Sequence, residues 1–272
     1  MQNFSASPRE ILASFWRNHG LIYALSKREV VGRYRGSYFG ILWSFINPLF
    51  MLLVYTFVFS IIFKARWNIQ NDSKTEFALV LFAGLIVLNL FSECITRAPT
   101  LLLSNTNYVK KVVFPLEILP WVTLYSALFH AAISLFVLLT GYSIFIGAPY
   151  LTIFYLPLIV APFCLMIMGF SWVLASLGVY LRDISQMVGI VVTAIMFLAP
   201  IFYPMTSIPE QLQFAILLNP LTIPVEGIRN YLFWGTELNY GYLSIYWVVS
   251  LLICIAGFGW FQKVREGFAD VV

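Results

Sequence analysis

Few residues in this sequence could do chemistry, and they are thinly spread. His130 lies inside a long apolar segment and Glu93 near the end of another. A proton relay across a membrane needs ionisable groups within the spans. A histidine with no acidic neighbour along the chain reads instead as an interior polar group whose hydrogen bonds are satisfied. Cys94, Cys164 and Cys254 lie far apart with no C-x-x-C pair and no Cys/His ligand spacing. They read as small buried hydrophobes, and no metal is expected. The chain has no G-x-x-x-x-G-K-[S/T] phosphate loop, so it lacks the usual means of holding ATP. Any transport through it is therefore passive or driven by a separate ATPase, and no cofactor is expected in the chain itself.

The charges that do carry a pattern are cations at the edges of apolar runs. Lys27, Arg28, Arg33 and Arg35 precede Phe39–Phe63, which contains no charged side chain. A helix needs about 20 apolar residues to cross a hydrocarbon core about 30 Å thick. Cations at its entrance set its orientation. Composition agrees: the 272 residues are 61% hydrophobic and 10% charged. A soluble domain is about 25% charged, so this chain could not cover itself with polar surface. The net charge of +4 comes with no basic tail, and no nucleic-acid partner is expected.

These groups must be positioned by an all-α integral membrane fold. Residues 1–38 form a basic lead. Within Pro8–Gly20, Ile11, Leu12, Phe15 and Trp16 recur at helical spacing opposite Arg9, Glu10, Arg17 and Asn18. That pattern predicts an amphipathic helix on the membrane surface, or one packed on other parts of the protein. Gly32, Gly36 and Gly40 mark either a close helix approach or a bend. Six spans are expected within residues 39–262: Phe39–Phe63 with Pro48 as a kink, Phe77–Ile95, Ile118–Ile146, Leu151–Leu181, Met187–Tyr203 and Tyr242–Gln262. The first is too long for a signal h-region, which argues against a cleaved leader. A tail follows over 263–272. With both ends inside, the cytoplasmic parts hold 12 of the 16 Lys+Arg, which supports that topology. The exterior keeps Lys64, Arg66, Lys74 and Arg229. No internal repeat suggests an inverted-repeat carrier.

Two connecting stretches stand out. Residues 97–117 contain Leu101–Leu103, then Asn105, Asn107, Tyr108, Lys110, Lys111 and Phe114. A short helix with an apolar patch there could dock a partner, and the lysines could equally contact lipid headgroups. Residues 204–241 hold apolar pieces too short to span, broken by Pro209 and by Asn219-Pro220, with Glu226 and Arg229 beyond. Two short re-entrant helices fit, because broken backbone at membrane depth is tolerated only against protein or a water-filled cavity. The stretch is a candidate external gate or a folded external loop.

Taken together these pieces resemble the ABC-2-type transport permeases, in the branch that exports O-antigen, capsule and teichoic acid. The resemblance rests on Lys27–Gly40 with Trp43 and Asn47-Pro48, on Asn107–Pro115, on Tyr180–Asp183, on Pro200–Tyr203, and on Asn219-Pro220-Leu221 with Arg229. It implies a homodimer in the bacterial inner membrane, joined by two copies of a separate ATP-binding subunit that holds ATP and Mg. It also implies an N-terminal interface helix, a coupling helix at Asn105–Phe114 and gate helices at Pro209–Trp234. The implied substrate is a polysaccharide on an undecaprenyl diphosphate carrier, O-antigen first. Arg33 and Arg35 then become candidates for the diphosphate entrance, with plain positive-inside anchoring as the alternative. Tyr38, Phe39 and Trp43 become candidate sugar-facing aromatics, with an interfacial belt as the alternative. The competing readings are a drug or haem permease of the same superfamily, a stand-alone lipid flippase, and a membrane scaffold.

Overall fold

A computed structural model describes residues 7–58, 74–109, 114–236 and 239–271, and these are helical with short connections. The outer end of the first expected span, beyond Val58, lies outside the described residues.

Helix α1 runs Pro8–Arg33. Ser7 caps it, its side chain accepting from the Arg9 N–H, with Pro8 at the first helical position. The helix is much longer than the Pro8–Gly20 read from periodicity. Its second half is held by tertiary packing: Ile22, Ser26 and Val30 recur every fourth residue and are buried. Ile22 packs on Ile118 and Val122, whereas Leu12 and Trp16 remain exposed. The 34–40 turn follows, with Gly36 at φ +85° and Gly40 at φ +52°. Within this chain a Cβ on Gly32, Gly36 or Gly40 would meet nothing within 4 Å; Gly36 and Gly40 form the bend, and Gly32 lies in the last turn of α1.

Then come α2 (Trp43–Tyr55), α3 (Lys74–Arg97), α4 (Thr106–Val109), α5 (Leu119–Phe145), α6 (Leu156–Tyr180) and α7 (Ile184–Leu198). After them lie α8 (Glu210–Leu217), α9 (Thr222–Arg229), α10 (Tyr240–Val264) and α11 (Phe268–Val271). Five described segments are long and apolar enough to cross a membrane: Gly40–Val58, Thr75–Thr100, Leu116–Phe145, Leu151–Tyr180 and Tyr240–Gly267. The expected span at Met187–Tyr203 is a shorter helix. At 1.5 Å per residue α7 covers about 22 Å, less than the hydrocarbon core. Pro200 lies just past its end, and the Asn219 side-chain amide donates to the Ile195 carbonyl at 2.9 Å, serving a terminal carbonyl of the helix.

Helix α3 is the centre of the bundle, with 83% of its most apolar window buried against 11% for the α2 segment. A close backbone-to-backbone seam joins α6 to α10. A Cβ on Gly257 would lie 2.2 Å from the Gly169 carbonyl oxygen, and one on Gly169 would lie 2.4 Å from that of Ile253. Small residues let helix backbones meet in this way. Gly257→Ala is expected to destabilise the fold by about 1–3 kcal/mol, the usual cost of overpacking, read as a lowered unfolding midpoint in detergent.

Candidate functional site

Three constellations follow from this architecture. The first lies where the end of α1 meets α3 and α5. Arg33, the last residue of α1, donates to Glu93 of α3 from Nη2. Its Nη1 lies 3.2 Å from Nδ1 of His130 on α5. The other Glu93 oxygen is 3.5 Å from that same Nδ1, and the Tyr34 hydroxyl is 3.1 Å from Nε2. Burial raises the Tyr34 pKa, so the phenol keeps its proton. Arg97 pairs with Glu29 at 2.5 Å and lies 3.6 Å from Glu93. Because guanidinium only donates, His130 Nδ1 can accept from Arg33 only when unprotonated there. With a proton on Nδ1 it faces Glu93 instead. The group therefore has two exclusive hydrogen-bond patterns.

This corrects the view of His130 as a histidine without an acidic neighbour. Its partner lies 37 residues away in sequence and was invisible to local spacing. One signal was present: Glu29/Arg33 and Glu93/Arg97 are both acid–base pairs at i,i+4, which lie on one helix face. The group lines a cavity of about 480 Å³ bounded by α1, α2, α3 and α5, which Asn47, Asn89 and Ser134 also face.

Of the entrance residues, Arg33 is thus engaged, whereas Arg35 is exposed in the 34–40 turn. Tyr38 is 97% exposed. It begins an edge-to-face ladder with Phe39 at 5.3 Å between ring centroids, and Phe39 continues it to Trp43 at 5.7 Å.

The second constellation is the 97–117 stretch. Its described residues form short turns, Ala98–Thr100, Leu103–Asn105 and α4, and the expected helix over Asn105–Phe114 runs into residues outside the described ones. Lys110 and Lys111 fall outside the described residues. Leu101 and Leu102 are buried in the main core and do not offer an apolar patch to a partner. Their neighbours already consume that surface. Asn107 is exposed, and the Asn105 amide donates to the Leu101 carbonyl at 2.9 Å. Tyr108 stacks on Phe114 at 4.2 Å and accepts from Arg28 at 2.9 Å. Glu117 closes the stretch as a buried hub. It accepts from Ser14 of α1 at 2.9 Å and from Arg265, just past α10, at 2.5 Å. Its carbonyl accepts from the Trp172 indole of α6 at 3.0 Å, and Arg265 also donates to the Phe114 carbonyl at 3.0 Å. No sequence feature singled this hub out.

The third lies at the opposite end of α3. Two short helices lie there, α8 and α9. Pro209 occupies the position just before α8, and the Asn219 Oδ1 accepts from Leu221 N at 2.9 Å. The Pro220 carbonyl accepts from the Tyr246 hydroxyl at 3.1 Å. Arg229, counted from sequence among the exterior cations, is fully buried. It donates from Nε to the Val80 carbonyl at 3.1 Å, from Nη2 to that of Ile201 at 2.7 Å, and from Nη1 to that of Pro200. Glu226 lies 3.4 Å from Nη1. Burial lowers the Arg229 pKa to about 10, against the pull of Glu226, so it stays charged at neutral pH.

Comparison with known proteins agrees with this architecture. The family model described as ABC-2 type transporter matches residues 20–233. The chain is similar to the O-antigen export system permease protein RfbA of Klebsiella pneumoniae, 26% identical over 253 residues, covering 93% of this chain and 95% of that protein. It is 25% identical over 264 residues to RfbA of Myxococcus xanthus, covering 96% and 99%. Against the polysialic acid transport protein KpsM of Escherichia coli it is 25% identical over 246 residues, covering 86% and 91%. With spans, basic lead and proline-broken segment all inside or adjoining the matched region, the chain belongs to the ABC-2 type transporter family.

Proposed function

We propose that this chain is the membrane subunit of an ATP-driven exporter that moves undecaprenyl-diphosphate-linked polysaccharide, O-antigen first, across the bacterial inner membrane. The observation that carries the reading is similarity to RfbA proteins over 93% and 96% of the chain. The similarity to KpsM supports capsule as the second reading. In this proposal α7 and the turn after it complete a sixth crossing, which puts both termini in the cytoplasm with the cation-rich ends. The working unit is a homodimer with two copies of a separate ATPase that binds ATP and Mg. That ATPase engages the 97–117 stretch around Asn105, Asn107, Tyr108, Lys110, Lys111 and Phe114, and Glu117 passes the movement on to α1 and α10. Arg33 and Arg35 receive the lipid diphosphate at the cytoplasmic entrance. Tyr38, Phe39 and Trp43 offer the glycan flat apolar faces with polar handles. The segment from Pro209 through Asn219, Pro220 and Arg229 closes the outer end.

Deletion of the chain in its host should remove the surface glycan and accumulate the lipid-linked form inside. Normal surface glycan would sink the reading in favour of a drug or haem permease. Co-purification should bring down an ATPase subunit, and a variant lacking residues 105–111 should fail to export. An exporter that runs without an ATPase would point to a stand-alone flippase, and a chain with no effect on any transported lipid to a scaffold.

A further inference from the structure

The Arg33 site has an unusual balance. Glu93 is one carboxylate facing three basic groups, Arg33, Arg97 and His130. Arg97 has a second acid, Glu29, at 2.5 Å. Among the described residues the acid paired with Arg33 is Glu93. We propose that Glu93 is a resident stand-in for a phosphate anion: it holds Arg33 until the phosphate of the incoming lipid head group takes its place.

This rests on the reading of Arg33 as part of the head-group entrance and adds how that site is kept shut. Four observations carry it. The Arg33 side chain is 37% exposed and faces the cavity of about 480 Å³, so a phosphate ester can reach it. A guanidinium fork matches phosphate as well as it matches carboxylate. When Glu93 leaves Arg33 it is not orphaned, because Arg97 already lies 3.6 Å from one of its oxygens and His130 3.5 Å from the other. The exchange therefore avoids the penalty of an unpaired buried charge. Finally, Arg33 ends α1 and is followed by the turn with positive φ at Gly36 and Gly40, so it can shift without unwinding either flanking helix. Asn47, Asn89 and Ser134 supply further hydrogen-bonding groups on the cavity wall. Displacing Glu93 removes one of the two ion pairs that join the end of α1 to α3, the other being Glu29–Arg97, so occupancy of the site is reported to α1.

The test uses the full chain in nanodiscs of zwitterionic lipid, with farnesyl diphosphate as the probe and saturable binding as the readout. Glu93→Gln removes the internal competitor and should tighten binding about tenfold, the equivalent of one charge-assisted hydrogen bond. Glu93→Asp, which keeps the charge on a shorter stem, should give a smaller gain, and it carries the test if the glutamine variant does not fold. Arg33→Gln should abolish binding. Unchanged or weaker binding in folded Glu93 variants, with Arg33→Gln still inactive, overturns the stand-in role and leaves the entrance reading intact. Unchanged binding in Arg33→Gln overturns the entrance reading itself. Competition by phosphatidylglycerol or by inorganic phosphate as effective as by unlabelled probe would make the ligand a bulk phosphate and overturn the substrate assignment; absence of such competition supports it.

Discussion

Arg229→Leu is expected to lose about 3–5 kcal/mol of stability, the cost of removing one member of a buried charged network. Three backbone carbonyls, those of Val80, Pro200 and Ile201, lose their donor in a place closed to water. Glu226 loses its cation in the same step. Each carbonyl lies in a different part of the chain from α9: Val80 in α3, Pro200 and Ile201 in the turn after α7. The side chain therefore pins three elements at one point. Arg229→Lys should recover little, because one ammonium lacks the planar fork that serves several acceptors at once. Glu226→Gln should cost much less, since its contact with Nη1 is long at 3.4 Å. Thermal unfolding of the purified variants in one detergent separates these outcomes. Near-normal stability of the leucine variant would refute the pinning role.

The second large effect is expected at Glu117. Glu117→Leu alone and Arg265→Leu alone should each cost about 3–5 kcal/mol, because each leaves the partner charge buried without its counterpart. The double variant should recover much of that loss, since no charge is left buried without its counterpart, although the Ser14 hydroxyl and the Phe114 carbonyl each still lose a partner. The same cycle read as ATPase-coupled export has a different expected outcome. A double variant that is stable but does not export would assign Glu117 and Arg265 to transmission, beyond folding. Additive losses in the double variant would instead show that the two residues do not act on each other.

Much of the scaffold could be read from the residues alone, and the reasons for what could not are physical. Long apolar runs report themselves, because lipid selects composition directly. Thus α5, α6 and α10 begin and end within a few residues of their expected bounds. The helix expected over Met187–Tyr203 ends earlier, at Leu198, because apolar composition continues past that residue while Pro200 stops the helix. Hydropathy does not register a backbone constraint of this kind. Helix α1 outran its amphipathic pattern because Ile22 and Ser26 are held by Val122 of α5, a partner the local sequence does not contain. The same blindness hid the Arg33–Glu93–His130 group and the Glu117 hub, whose members come together only through helix packing. Leu101 and Leu102 show the converse error. An apolar side chain in a polar loop suggests a docking patch, yet here it fills the protein's own interior.

Helix α2 faces two cavities from adjacent sides of its surface. Ser44, Asn47, Pro48, Met51 and Tyr55 look into the one of about 480 Å³. Leu49, Leu52, Leu53 and Thr56 look into another of about 360 Å³. A tightly packed helix can move only by opening a void, and voids are costly. A roll of α2 about its own axis instead trades volume between two spaces that already exist. The α6–α10 seam has no such reserve, because carbonyl oxygens sit where a methyl group would have to go. The molecule is therefore mechanically uneven. It has a spine of two helices locked backbone to backbone, and one rod with open space on two of its sides.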